Sequence, residues 1–239
     1  MPLRRLAPLA ALLLAAAAPK PAFVPSKPRD VSFNTSDGWT IAATWRRAQN
    51  GRATVVLVHG VGASKEEWAP LTERLAASGV GTLALDLRGH GASASGPGGV
   101  SGWSSFDGSG MSLKCLEDVR TAAWWLSTQG VPREKVAFGG ASIGANLASL
   151  ASLERERTPF LLLLSPADDY RGVRVNARKG LKTLAAASLT DQRALVASKS
   201  LELAAGAKVV TAPRGHGAQM FADKATLARI AAWVAEASK

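Results

Sequence analysis

The sequence predicts an α/β fold, a mostly parallel central sheet flanked by helices. Three observations carry that reading. From Asp30 to the carboxy end, strand-like and helix-like patterns alternate, and a helix between strands is how a chain returns to lay down a parallel neighbour. Residues Thr54–Val58 run apolar without alternation, as a strand covered on both faces must. The length, 239 residues with 47% hydrophobic and 20% charged, suits one domain with a sizeable core.

Residues 31–34 and 40–46, joined across Ser36-Asp37-Gly38, have the pattern of an opening hairpin. After the strand at 54–58, residues 66–77 are amphipathic and end at Gly79, a helix with its stop signal. Strands are expected at 81–86 and 135–139, with helices at 112–129 and 143–153. Residues 160–164 and 194–197 are expected as strands flanking a basic, helix-prone stretch. A last strand at 208–211 and a last helix at 220–237 complete the order. There is no internal repeat and no second domain boundary.

Composition excludes several classes. The 23 Gly and 12 Pro follow no period, so a collagen-like or low-complexity chain is ruled out. A single cysteine, Cys115, cannot form an internal disulfide, and His59, His90 and His216 stand far apart without zinc spacing. No metal and no cofactor is therefore expected. The 29 Lys+Arg against 18 Asp+Glu give +11, which raises nucleic-acid binding. The excess is spread in ones and twos, with no run of five basic residues, so no nucleic-acid partner is expected.

Residues 1–18 read as a signal peptide: a basic start with Arg4 and Arg5, then a Leu/Ala stretch broken only by Pro8, ending in four alanines. The stretch is short for a membrane span. A Pro-rich leader at 19–29 follows, and the folded domain is expected at 30–239, periplasmic or secreted, without stable membrane insertion.

The residues that carry chemistry are fewer. Gly140-Ala141-Ser142-Ile143-Gly144 sits between an expected strand and helix. A serine on such a turn has a strained backbone that lifts its hydroxyl above the sheet, and the following helix start favours developing negative charge. The strand at 54–58 runs into His59-Gly60-Val61-Gly62, a turn able to aim backbone N–H groups at an oxyanion. The N–H groups of Val61 and Ile143 are the expected oxyanion donors. His59, at a strand end, and His90, in the Gly-rich turn Gly89-His90-Gly91, are expected as loop anchors. His216, in Arg214-Gly215-His216-Gly217 after the last strand, is the expected general base.

With these motifs in order, together with Asp86-Leu87-Arg88-Gly89-His90-Gly91-Ala92-Ser93, the chain resembles an α/β-hydrolase. It is similar to the bacterial group that includes S33 serine aminopeptidase-like and dienelactone hydrolase-like proteins. The resemblance spans the chain after the leader. It implies the chain order serine, acid, histidine, and Ser142 in place of the cysteine of dienelactone hydrolases proper.

The acid departs from the pattern. Past the strand expected at 194–197, the slot that the resemblance assigns to aspartate holds Leu201, with Glu202 one residue late. Asp191 would precede that strand, at the wrong end of the sheet. Asp168 and Asp169 follow the strand at 160–164, and Asp169 is favoured over Glu202.

The function expected is an exported serine hydrolase cleaving small or short-acyl carboxylic esters through an acyl-enzyme on Ser142. The alternatives are an aminopeptidase-like amide hydrolase and a non-catalytic binding protein of the same fold. Peptidases of the group carry a helical cap, for which the stretch from 169 to 194 is short. Trp103, Phe106, Met220 and Phe221 are expected to contribute pocket walls.

Overall fold

The computed structural model describes residues 24–99, 102–105 and 113–239. The expected signal peptide and leader residues 19–23, like Phe106, lie outside them. Strands β1 (Arg29–Asn34) and β2 (Thr40–Arg46) form the antiparallel opening hairpin. The sheet continues with β3 (Thr54–Val58), β4 (Gly81–Leu85), β5 (Val136–Ala141), β6 (Leu161–Leu164), β9 (Thr183–Ser188) and β10 (Lys208–Ala212). A separate hairpin, β7 (Asp169–Tyr170) with β8 (Val173–Arg174), stands between β6 and β9.

The eight strands are ordered β1-β2-β4-β3-β5-β6-β9-β10, parallel from β4 onward. Every residue of β3, β4, β5, β6 and β9 is buried, which is why these strands lack alternation. Helices α1 (Ala69–Ala76) and α5 (Lys224–Ala237) cover one face; α2 (Leu116–Thr128) and α3 (Ile143–Leu153) cover the other. Helix α4 (Gln192–Ala205) packs against β9 and β10. On the α2 side Trp125 meets Phe33 at 5.7 Å and Trp45 at 5.1 Å, closing the hairpin over the core.

Two sequence expectations fail in the same region. Residues 194–197 are not a strand but lie inside α4, and the strand is Thr183–Ser188. Its residues, Thr-Leu-Ala-Ala-Ala-Ser, are mostly small and helix-tolerant, so local propensity was misleading and burial in a parallel sheet decided the outcome. The stretch from 169 to 174 is likewise a two-strand hairpin rather than helix.

That excursion is tied to the helix after the serine. Asn146, buried on α3, donates its side-chain amide to Ala167 O at 2.8 Å and Val173 O at 2.7 Å, and accepts the Ala167 N–H at 3.1 Å. Ser149 Oγ accepts the Asn176 N–H at 3.1 Å. No helix forms among residues 165–182, so little stands over the carboxy ends of the strands from this connection.

Candidate active site

Ser142 occupies the turn between β5 and α3 with φ 55° and ψ −125°, a backbone conformation costing ~1–3 kcal/mol for a non-glycine residue. The neighbouring glycines make the turn possible. A Cβ at Gly140 would stand 2.0 Å from Gly144 O, and one at Gly144 would stand 2.2 Å from Val58 O. The Ser142 N–H donates to Leu164 O at 2.9 Å, and its carbonyl accepts the Ala145 N–H at 2.9 Å. The strain is thus held by the sheet on one side and the helix on the other.

The turn after β3 runs alongside this serine: a Cβ at Gly60 would stand 3.2 Å from Ser142 Cβ. His59 sets the direction of that turn. Its Nε2 accepts the Leu87 N–H at 3.0 Å, which leaves the proton on Nδ1 to donate to Gly60 O at 2.7 Å. Burial holds the ring neutral, with its pKa down at about 4. Gly60 C=O and Val61 N–H share one peptide plane, so fixing the carbonyl orients the N–H. Among the described residues neither the Val61 nor the Ile143 N–H donates to a protein acceptor. Both remain open to an acceptor from outside the chain.

His90 is also an anchor. Its Nδ1 pairs with Arg88 O at 3.0 Å, and burial shifts its pKa below the ordinary range. The ring lies 4.8 Å from His59 and stacks on Trp103 at 5.8 Å. Trp103 in turn covers Gly62, where a Cβ would meet the indole at 3.3 Å. With 42% of its surface exposed, Trp103 stands beside the turn that carries Val61, itself 39% exposed. Met220 and Phe221 are buried in the core with Trp68, so they back the site without lining an open wall.

The rest of the Asp86–Ser93 segment is scaffold. Asp86, fully buried, accepts the Lys65 N–H at 2.7 Å, the Lys65 ammonium at 3.0 Å and the Ala92 N–H at 3.0 Å. Buried Arg88 binds Asp118 through Nε at 2.8 Å and Nη2 at 2.6 Å, and Asp37 through Nη1 at 2.6 Å. It thereby ties the hairpin turn and α2 to the loop after β4.

His216 follows β10, flanked by Gly215 at φ 99° and Gly217 at φ 56°. A Cβ at Gly217 would stand 3.1 Å from Ala141 Cβ and 4.0 Å from Ser142 N, so the loop lies directly against the serine turn. Ser165, at the end of β6 with φ 48°, accepts the Gly217 N–H through Oγ at 2.9 Å. Gln219 Oε1 accepts the His216 N–H, and the Gln219 N–H returns to His216 O, each at 3.1 Å. No hydrogen bond joins Ser142 Oγ to His216 Nε2.

The carboxylate beside the histidine is Asp191. Its Oδ2 lies 2.6 Å from His216 Nδ1, while its Oδ1 caps α4 by accepting the Ala194 N–H at 3.4 Å. Neither carboxylate expected as the acid, Asp169 or Glu202, lies beside His216. Asp169 is spent on the Gly172 N–H at 2.8 Å and Arg174 Nε at 3.1 Å in the β7–β8 hairpin. Glu202 pairs with Lys199 at 2.8 Å on the exposed side of α4, and Asp168 is an exposed residue just before the hairpin. None of the three is hydrogen-bonded to His216. Because the strand is Thr183–Ser188, Asp191 falls just past its carboxy end rather than before a strand. The signal was present: Asp191 three residues before Ala194, opening an amphipathic stretch, is an N-cap pattern.

Among the described residues no cluster of three or more His, Cys, Asp or Glu could hold a metal ion.

Residues 49–229 match the family described as Serine aminopeptidase, S33. No curated protein matches the sequence significantly. Among solved structures, dienelactone hydrolase from Anabaena variabilis is 19% identical, covering 87% of this chain and 96% of its own, with a TM-score of 0.63. The Pyrococcus furiosus esterase Pf2001 is 18% identical over 90% of this chain and 94% of its own, with a TM-score of 0.64. EstE1, a thermostable carboxylesterase cloned from a metagenomic library, is 19% identical over 90% of each chain, with a TM-score of 0.62. At these identities the likeness is one of fold, the α/β-hydrolase fold.

Proposed function

The chain belongs to the serine aminopeptidase S33 family of α/β-hydrolases, and on that footing we propose that it is a serine hydrolase acting on small carboxylic esters. Ser142 is its nucleophile, His216 its general base and Asp191 its acid. One observation carries the reading: the Asp191–His216 pair at 2.6 Å ends on a loop packed against the strained Ser142 turn.

The chemistry follows from the geometry. Ser142 Oγ attacks the ester carbonyl as His216 Nε2 takes its proton. Asp191 holds the ring by Nδ1 and stabilises the imidazolium. The negative charge that develops on the carbonyl oxygen meets the Val61 and Ile143 N–H groups, where losing one donor typically costs ~10²–10³ in rate. His216 then protonates the leaving alcohol, and water, activated by the same ring, releases the acid from the acyl-enzyme.

Small substrates are favoured because the β6–β9 connection contains only a short hairpin, pinned down by Asn146. A family named for aminopeptidases favours amide cleavage as the second reading. The absence of any helix over residues 165–182 weighs against a cap that grips a peptide amine. The test is Ser142→Ala and His216→Ala, assayed with p-nitrophenyl acetate and an amino-acid p-nitroanilide. Each variant should be folded and inactive; a Ser142→Ala enzyme with wild-type turnover would refute the reading.

Export belongs to the same proposal. The basic start, the Leu/Ala stretch and the run of alanines to Ala18 support removal of a signal peptide and a periplasmic or secreted location. Mass spectrometry of the chain from its native host should find an amino terminus near residues 15–22. An intact Met1 would contradict it.

A further inference from the structure

The turn that carries the expected oxyanion donor is held at two successive peptides, and only one of the two holds is the histidine. Gly60 C=O is held by His59; Gly60 N–H is held by Glu67, whose Oε1 accepts it at 3.3 Å. Glu67 belongs to the single 3-10 turn Lys65–Trp68. That turn is anchored twice, by Asp86 through the Lys65 N–H and ammonium, and by the buried Trp68 ring against Phe221 at 5.9 Å. The carboxyl is therefore delivered to Gly60 from a fixed base. A Cβ at Gly60 would also stand 3.2 Å from Ser142 Cβ, so this residue lies close against the serine turn.

The geometry points to Glu67 as a positioning residue: by holding the Gly60 N–H it fixes the tilt of the turn that aims the Val61 N–H at the oxyanion formed on Ser142 attack. This rests on the serine-hydrolase reading above. A structural filler would not need a carboxyl here. Burial works against the charged form, pushing its pKa up to about 7 against the bond from Gly60. Keeping an acid half-buried at a cost in stability is a mark of functional sites.

A misaimed donor weakens the transition state more than the bound substrate. The experiment compares Glu67→Leu, which removes the acceptor, with Glu67→Gln, which keeps one, using p-nitrophenyl acetate and a trifluoromethyl ketone that mimics the tetrahedral intermediate. In Glu67→Leu, kcat should fall ~10-fold, with KM within about twofold, and the ketone should bind ~10-fold more weakly; Glu67→Gln should recover most of both. Amide exchange of the unmodified protein gives a check that needs no variant. The Gly60 N–H should exchange at least ~10-fold more slowly than the unbonded Val61 N–H.

Wild-type kcat in Glu67→Leu, a rise in KM alone, a Gln variant as impaired as Leu, or a Gly60 amide exchanging as fast as Val61 would each overturn the assignment. If Ser142→Ala keeps its activity, both the serine reading and this one fall. A silent Glu67→Leu beside a dead Ser142→Ala overturns only the role of Glu67.

Discussion

Asp191 Oδ2 and His216 Nδ1 stand 2.6 Å apart, joining the loop past β9 to the loop past β10 at the end of the sheet where Ser142 projects. The side chain of Asp191 is 17% exposed and that of His216 is 51% exposed, so the acid is the sheltered member of the pair. It favours the tautomer with Nδ1 protonated, in which Nε2 is an acceptor.

Asp191→Asn should therefore lower kcat by ~10⁴, as an acid-to-amide change does in other serine triads through the wrong imidazole tautomer. Asp169→Asn and Glu202→Gln should stay near wild type, because their carboxylates bind Arg174 and Lys199 on the surface. Steady-state kinetics of the three variants checks this; a silent Asp191→Asn would break the assignment.

This acid also marks where the sequence stopped being legible. Ser142, the β3 turn and His216 could be read because each motif needs glycines at fixed places. Gly140, Gly144 and Gly217 all sit where a Cβ would press on neighbouring backbone or Cβ atoms. The hairpin and the buried β3 could be read from turn residues and from uninterrupted hydrophobicity. Asp191 could not, because its place depends on which stretch is the strand. Thr183–Ser188, rich in alanine, carries no β-branched signature beyond Thr183, whereas Ala194–Ala197 includes Leu195 and Val196 and looked more like one. Placing the strand some ten residues late moved Asp191 to the wrong end of the sheet.

Ser165 supports the His216 loop from the strand next to the one that leads into Ser142. Ser165→Ala removes the acceptor of the buried Gly217 N–H and should cost ~1–3 kcal/mol, a Tm drop of roughly 2–10 °C for a chain of this size. Because Gly217 follows His216, kcat should fall as well. Calorimetry with parallel kinetics reads both, and an unchanged Tm would show that the bond carries no weight.

Arg88 is the cation between two acids. Burial pushes the Asp118 carboxyl up to about 6 against the opposing pull of the Arg88 hydrogen bonds and charge. Arg88→Met should leave Asp118 buried without its partner and destabilise by ~3–5 kcal/mol. The double variant Arg88→Met with Asp118→Leu should recover part of that loss in urea unfolding. No recovery would mean that Asp37 and the hairpin turn dominate the effect.

Glu67 makes stability depend on pH. Burial raises its pKa from 4.5 to about 7, so the folded protein holds the proton more tightly than the unfolded chain does. Its contribution to stability is full below about 4.5 and is lost as pH rises through about 7. The Tm of Glu67→Gln relative to wild type should thus climb between pH 5 and pH 8. A pH-independent difference would contradict the burial of this carboxyl.

Substrate size follows from what borders the serine. Trp103 and Val61 offer exposed apolar surface beside the oxyanion turn, and residues 165–182 add no helix above it. Along p-nitrophenyl esters of increasing acyl length, kcat/KM should peak between acetate and hexanoate, and Trp103→Ala should flatten the peak. A steady rise to long chains with activation at an oil–water interface would reveal a lipid-binding surface instead.

The central claim, that Ser142 is an activated nucleophile driven by the His216–Asp191 pair, is tested most directly by fluorophosphonate labelling followed by peptide mass spectrometry. The account predicts a single adduct on Ser142, formed quickly in the wild type and far more slowly in His216→Ala and Asp191→Asn. An adduct on another residue, or no adduct on a protein that still hydrolyses p-nitrophenyl acetate, would contradict it.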